Sequence, residues 1–363
     1  MSAPHLLLAI SAHGYGHFSQ VVPVINRLLQ HIPGLRLTLR TDLPERLLAG
    51  RIEGSFTRQP ASDDFGLVMH DAVQVDAKAS LQRYRELHAG WQRRLADCVG
   101  ELEAAAPDLV LADVPYLTLA AARQAGFPAL AMCSLNWFDV ARAYLPDTDD
   151  SRRILNTMQA AYQGADLFLQ PEPSMPMDWL ANRRPIGPVA SPGTRRRDVL
   201  LQQAGIAADE QVILVAMGGM ALELDIQGWQ PAKGQRLLIP PGWPLHHERV
   251  HHYTAMGLGF QDLLASSDLV FSKSGYGTFV EAAAAGLPVL HLRRPDWPEA
   301  PFLESWLAQR VHQVGIDANR FGLPEAIEAS QHLLEAGCRA ATAVSGVEQA
   351  ARIIAARVSG AKG

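Results

Sequence analysis

The segment Ser272-Lys273-Ser274-Gly275-Tyr276-Gly277-Thr278-Phe279-Val280-Glu281 follows the apolar run Asp268-Leu269-Val270-Phe271 and opens an apolar helical pattern. Glycines at such a point let the backbone approach a ligand closely, and the free N–H groups of a helix start attract anions. That chemistry suits a diphosphate. Lys273 can offset phosphate charge, and Glu281, one turn into the helix, can accept hydrogen bonds from a ribose diol. The plainer alternative is a glycine turn between strand and helix with a solvated glutamate.

A second segment, His13-Gly14-Tyr15-Gly16-His17, stands between the first apolar run and a helical pattern starting near Ser19. A neutral imidazole is the usual general base near neutral pH, so His17 and His13 are base candidates. The alternative is a histidine capping its own helix or hydrogen-bonded in the core. The dinucleotide pattern GxGxxG is not matched, because position 19 is Ser, and an acidic residue about 20 positions on is present only loosely as Asp42. A nicotinamide dehydrogenase therefore has weak support. In Leu109-Val110-Leu111-Ala112-Asp113-Val114-Pro115 an apolar run ends in Asp113, suited to orient a histidine and stabilise its imidazolium. The same residue could instead cap the helix through Leu119 to Ala125.

Other polar clusters carry less. His246-His247 and His251-His252 contain i, i+4 pairs, but Arg249 to Tyr253 reads as a strand, which denies them helical geometry. Asp147, Asp149 and Asp150 lack the Gly and terminal Glu of a calcium loop and read as a solvated acidic loop. No metal site is expected.

The elements that must position these segments alternate. Strands are predicted over His5 to Ile10, Leu35 to Leu39, Leu109 to Ala112, Ala129 to Met132 and Asp166 to Leu169. A long helix is predicted over Lys78 to Ala106. A proline-rich stretch between 171 and 198 interrupts the pattern, after which strands are predicted at Val212 to Ala216, Arg236 to Ile239, Arg249 to Tyr253, Asp268 to Phe271 and Pro288 to Leu292. Helices are predicted near Phe260 to Ala265 and Thr278 to Ala285, with a helical tail over Pro324 to Ala336 and Val347 to Val358. The expected organisation is an N-terminal Rossmann-like domain over 1–175, a linker over 176–198 and a C-terminal Rossmann-like domain over 199–363. The fold class is α/β, two α/β/α domains facing across a cleft, with ligand crevices at the carboxyl ends of the strands.

Composition agrees with this class. At a prior of about 150 residues per domain, 363 residues make about two domains, and 48% apolar against 19% charged residues is globular composition. Thirty-two basic against thirty-seven acidic residues leave a net charge of -5, so no nucleic-acid partner is expected. Cys98, Cys133 and Cys338 lack CxxC spacing, which argues against zinc or a disulfide framework and for a reducing, cytoplasmic location. The Leu6 to Ile10 run is too short for a signal peptide or a membrane span. Arg93-Arg94 and Arg195-Arg196-Arg197 could meet anionic lipid, so peripheral membrane contact stays open beside the commoner solvated face.

Together, the two α/β halves, His13 to His17 and the run Ser267 to Leu290 resemble a GT-B nucleotide-sugar glycosyltransferase. The C-terminal half is similar to the glycosyltransferase 28 group. The N-terminal half, through Ala112-Asp113-Val114-Pro115, Phe127-Pro128-Ala129-Leu130 and Ser134-Leu135-Asn136-Trp137, looks closer to the glycosyltransferase-like domain fused to some sugar kinases. The resemblance implies a metal-independent, hexosyltransferase-like enzyme that moves a sugar from a nucleoside diphosphate sugar, UDP-linked, to an unidentified acceptor hydroxyl. It implies a donor as co-substrate and no resident cofactor. It puts Lys273, Ser274, Gly275, Tyr276, Gly277 and Thr278 near the diphosphate, Gly218 and Gly219 beneath the phosphates, and Glu281 on the ribose. Met256 to Phe260 falls at the base-contacting loop, and Asp296 and Glu299 fall against donor-sugar hydroxyls. His17 matches the acceptor-side base, with His13 second and Asp113 as helper. No Asp-Gln or Gln-Gln pair follows Leu292, so the sugar contacts differ from those of better-known members. A nucleotide-sugar hydrolase or epimerase, and a non-catalytic nucleotide-sugar binder, are the rivals on the same fold.

Overall fold

The computed structural model describes residues 3–70, 74–217, 231–241, 243, 247–318 and 324–360. The strands are β1 (His5–Ala9), β2 (Arg36–Arg40), β3 (Thr57–Gln59), β4 (Leu109–Ala112), β5 (Ala129–Met132), β6 (Leu167–Pro171), β7 (Arg183–Ile186), β8 (Gln211–Ala216), β9 (Gln235–Ile239), β10 (Val250–His252), β11 (Leu269–Lys273), β12 (Val289–Leu292) and β13 (Gln313–Ile316). The helices are α1 (Gly16–His31), α2 (Glu45–Ala49), α3 (Ala77–Ala89), α4 (Trp91–Ala105), α5 (Tyr116–Ala125), α6 (Trp137–Arg142), α7 (Asp149–Gln163), α8 (Arg197–Ala204), α9 (Phe260–Ser266), α10 (Tyr276–Ala285), α11 (Ala300–Ala308), α12 (Pro324–Ala336) and α13 (Gly346–Gly360).

The strands form two sheets, ordered β3-β2-β1-β4-β5-β6-β7 and β10-β9-β8-β11-β12-β13. All named strand pairs are parallel. Both orders start from a central first strand, grow outward on one side and then cross to the other, the doubly wound pattern whose crevice lies where the order reverses. That switch point falls between β1 and β4 in one sheet and between β8 and β11 in the other. Strands β1, β4 and β5 are buried along their whole length, as a parallel sheet covered by helices on both faces demands of apolar runs such as HLLLA and LVLA.

The chain divides into two compact units at other places than the composition suggested. The first holds the residues up to His70, Gln74–Val189 and the tail from Ser345; the second holds Ala190–Val344. The proline-rich stretch is no free linker, because β7 lies within it and pairs with β6. The tail returns to the first unit because the apolar face of α13, Ala350, Ala351, Ile354 and Val358, joins the core that contains Val21, Ile25 and Leu28 of α1. The long helix predicted over 78–106 is interrupted at Gly90, which ends α3 and begins α4; glycine is a poor helix interior residue. The acidic loop is instead the start of α7, capped by Thr148, with Asp149 and Asp150 in its first turn, where the helix dipole favours negative charge.

Candidate functional site

In the first unit, β1 and β4 end side by side, and the residues just beyond them meet. His17 sits in the first turn of α1, buried, with Nδ1 2.8 Å from Asp113 Oδ2. The distance is that of an ion pair, and Oδ2 has no other partner. The second carboxylate oxygen accepts the backbone N–H of Ser11 at 2.9 Å. Asp113 does not cap a helix: α5 begins after Pro115, with no side-chain cap. Its fully buried carboxylate is committed to His17 and Ser11.

Burial disfavours the His17 imidazolium, but the charge and hydrogen-bonding capacity of Asp113, helped by Cys133, outweigh it and raise the His17 pKa well above 6.5. The Cys133 sulfur lies 3.8 Å from the same Nδ1. Both contacts fall on Nδ1, leaving Nε2 as the other ring nitrogen.

His13 is nearby but differently employed. Its Nδ1 is 3.0 Å from the carbonyl of Phe65, and its ring meets Trp137 edge-on at 5.3 Å. Trp137, wholly buried at the start of α6, also faces His17 at 5.4 Å. Its indole Nε1 donates to Asp64 Oδ2 at 2.7 Å, and the Ser11 hydroxyl donates to Asp64 Oδ1 at 2.8 Å. Gln20 on α1 donates to the Ser134 hydroxyl at 3.0 Å, tying the helix to the β5 end. Ser11, Asp64, Cys133 and Gln20 were not among the sequence candidates. Ser11 and Cys133 carry the signal of standing just past strand ends; Gln20, inside α1, and Asp64, in the irregular stretch after β3, lack even that.

In the second unit, the glycine segment joins β11 to α10 as its spacing predicts, with Gly275 at the helix N-cap in extended backbone. Ser274 is wholly buried; its hydroxyl donates to Glu304 Oε1 at 2.6 Å and lies 3.3 Å from His291 Nδ1. It therefore braces the turn from below. His291 on β12 is in turn 2.7 Å from Gln313 on β13, and burial lowers its pKa. Tyr276 is buried, while Lys273, Gly275, Gly277 and Thr278 are partly exposed at the turn. Glu281 is buried and accepts from Gln261 of α9 at 3.3 Å. Phe260 is half-buried beside Tyr253. Asp296 is exposed, whereas Glu299 is buried at the start of α11 and accepts from Trp297 at 3.3 Å. Gly218 and Gly219 lie outside the described residues, as does His246.

Among the described residues, no group of three or more His, Cys, Asp or Glu side chains is arranged to hold a metal ion. No helix among them is long and apolar enough to cross a membrane. Arg196 pairs with Asp262 at 3.4 Å and Arg197 with Asp268 at 2.8 Å, while Arg195 donates to the Ala265 carbonyl at 3.3 Å. These arginines are engaged with their own unit.

Two doubly wound α/β units in one chain, with polar clusters at strand carboxyl ends, define the GT-B fold of glycosyltransferases, and structural neighbours share it. No protein-family profile matches the chain. Over 333 residues it is 25% identical to L-arabinokinase of Arabidopsis thaliana, covering 88% of this chain but only 31% of that protein. The chain thus spans about a third of that relative's length. The spinosyn forosaminyltransferase SpnP superposes with a TM-score of 0.60 at 16% identity, covering 99% of this chain and 95% of SpnP. LpCGTa in complex with UDP gives 0.60 at 16%, covering 98% and 99%. A Listeria monocytogenes protein described as a UDP-N-acetylglucosamine 2-epimerase gives 0.56 at 17%, covering 99% and 97%.

Proposed function

We propose that this chain transfers a sugar, of the hexose kind, from a UDP-sugar to an acceptor hydroxyl, with His17 as general base. The observation that carries the reading is the 2.8 Å contact of His17 with Asp113 at the switch point of the first sheet. In the proposed reaction the acceptor O–H gives its proton to His17 Nε2 while its oxygen attacks the anomeric carbon. The bond from that carbon to the diphosphate oxygen breaks, and the electron pair leaves on the diphosphate. Asp113 balances the imidazolium as it forms. Lys273 and the N–H groups opening α10 meet the charge developing on the leaving group, without a metal ion. Glu281 takes the ribose and Asp296 the sugar hydroxyls.

Fold likeness to an epimerase keeps a rival chemistry in view. Titration with UDP, dTDP, GDP and NAD, followed by thermal unfolding, tests the donor site, since a ligand of the folded state raises its melting point. The expected result is a rise with UDP alone that Glu281→Ala removes. UDP release from UDP-sugars should then require an acceptor and be lost in His17→Ala, with UDP binding retained and with no loss on adding a chelator. No shift with any diphosphate at about millimolar concentration sinks the proposal. Free or epimerised sugar without an acceptor moves it to a hydrolase or epimerase.

A further inference from the structure

Asp64 is a second carboxylate at the His17 cluster, and a single residue ties it to the first. The Ser11 N–H donates to Asp113 Oδ1 at 2.9 Å, while the Ser11 hydroxyl donates to Asp64 Oδ1 at 2.8 Å. The other oxygen of Asp64 accepts the Trp137 indole N–H at 2.7 Å, and that indole packs 5.4 Å from the His17 ring. Both oxygens of Asp64 are thus spent on groups that touch His17 or its partner. We propose that Asp64 is a positioning residue of this site: through Ser11 and Trp137 it fixes the His17 and Asp113 side chains, and its charge governs how readily His17 releases a proton. This rests on the reading of His17 as the base.

The surroundings of Asp64 define which charges act on it. Tyr84, Tyr116 and Tyr162, from α3, α5 and α7, are buried with their ionisation pushed well above 10, so they stay neutral. Asp113 and His17 supply the charges. Burial and the Asp113 charge push the Asp64 carboxyl up to about 7, against the Trp137 and Ser11 hydrogen bonds and the His17 charge, which pull it down. Near neutral pH the Asp64 charge therefore varies. Once ionised, it adds a negative charge near the imidazolium and holds the proton on His17 more firmly.

The test follows the His17 ring by NMR in the full-length, ligand-free chain labelled with 13C-histidine, from about pH 5 to about pH 10, around the ordinary histidine range. The His17 signal is the one absent from His17→Gln. Asp64→Asn keeps the size of the side chain and removes its charge; the His17 midpoint should fall by about one pH unit. Ser11→Ala cuts the hydroxyl link, favours neutral Asp64 and should move the midpoint the same way. A midpoint unchanged in Asp64→Asn, with wild-type near-UV circular dichroism, overturns the proposal. If Asp64→Asn does not fold, Ser11→Ala decides alone by the same criterion. The titration needs no turnover, so its failure counts against Asp64, whereas missing sugar transfer counts against His17 as base.

Discussion

Arg40 holds Asp63 by two parallel N–H donors, Nε to Oδ2 at 2.6 Å and Nη2 to Oδ1 at 2.8 Å, and each side chain is only 6% exposed. Thr118 donates to the same carboxylate at 2.5 Å, and Arg40 also reaches Glu101. This clamp at the β2 end anchors the chain one residue before Asp64. Breaking a buried pair from one side strands the other charge, so Asp63→Ala should cost about 3–5 kcal/mol in urea unfolding. Asp63→Leu with Arg40→Met should cost less than either single change, because neither charge is then left alone. A double variant no more stable than the worse single one counts against this account.

Gly66 is the other fixed point of the Asp64 loop. Its φ is +67°, and a Cβ there would fall 2.6 Å from the His13 ring and 2.7 Å from Trp137. Trp137 is wholly buried and packs on the His17 ring, so it cannot retreat without disturbing that ring. Gly66→Ala should therefore lower stability by about 1–3 kcal/mol from backbone strain and crowding together, and slow transfer. Wild-type melting temperature and rate in that variant would show the loop to be compliant.

The legible part of this site is the part that local physics dictates. His17 and Asp113 stand just past apolar runs, and in a doubly wound sheet that position alone aims them at the crevice. The glycine segment before α10 reads the same way. Asp64 does not, because the stretch from 60 to 69 has no period, and its carboxylate acquires a role only when β1, α6 and the clamp at Arg40 bring Ser11 and Trp137 to it. Ser274 shows a related limit. A serine in a glycine turn looks like a ligand contact, yet β12 and α11 supply His291 and Glu304 beneath it. The domain limits fail where a long-range contact decides: nothing local in Val347 to Val358 says that it packs on α1. In the structure Gly346 meets the chain just after β7, where a Cβ would lie 1.9 Å from the Gly187 carbonyl oxygen, a contact the sequence does not show.

His88 gives the fold an acid-side weakness. Its ring lies nearly parallel to those of Trp91 at 5.1 Å and Tyr116 at 5.9 Å, which also stack on each other, and Nε2 lies 2.9 Å from the Tyr116 hydroxyl. Burial and the Arg94 charge lower its pKa to about 4. The folded state thus releases the proton more readily than the unfolded chain, so the stabilisation is complete above pH 6.5 and lost as pH falls toward 4. Melting temperature should drop over that window, and less steeply in His88→Phe, which keeps the stack. Parallel curves for the two proteins would place the acid sensitivity elsewhere.

His17 sets the opposite slope. Its folded pKa lies above 6.5, against its burial, because Asp113 and Cys133 favour the imidazolium. The folded state binds that proton more tightly, so the pair's stabilisation is full below pH 6.5 and fades as pH rises through the folded value. Catalysis runs the other way, since a general base must be unprotonated to act. The proposed transfer should therefore gain rate with pH, with the acid limb of kcat/KM above 6.5 rather than at the ordinary histidine value. Asp113→Asn removes the charge that holds the proton, so the limb should move to lower pH. The plateau should fall by about 10²-fold or more, because the imidazolium formed in the reaction is no longer balanced. A limb that stays in place when Asp113 is neutralised would separate the rate from His17, whereas a shifted limb with a lowered plateau ties both to the 2.8 Å contact.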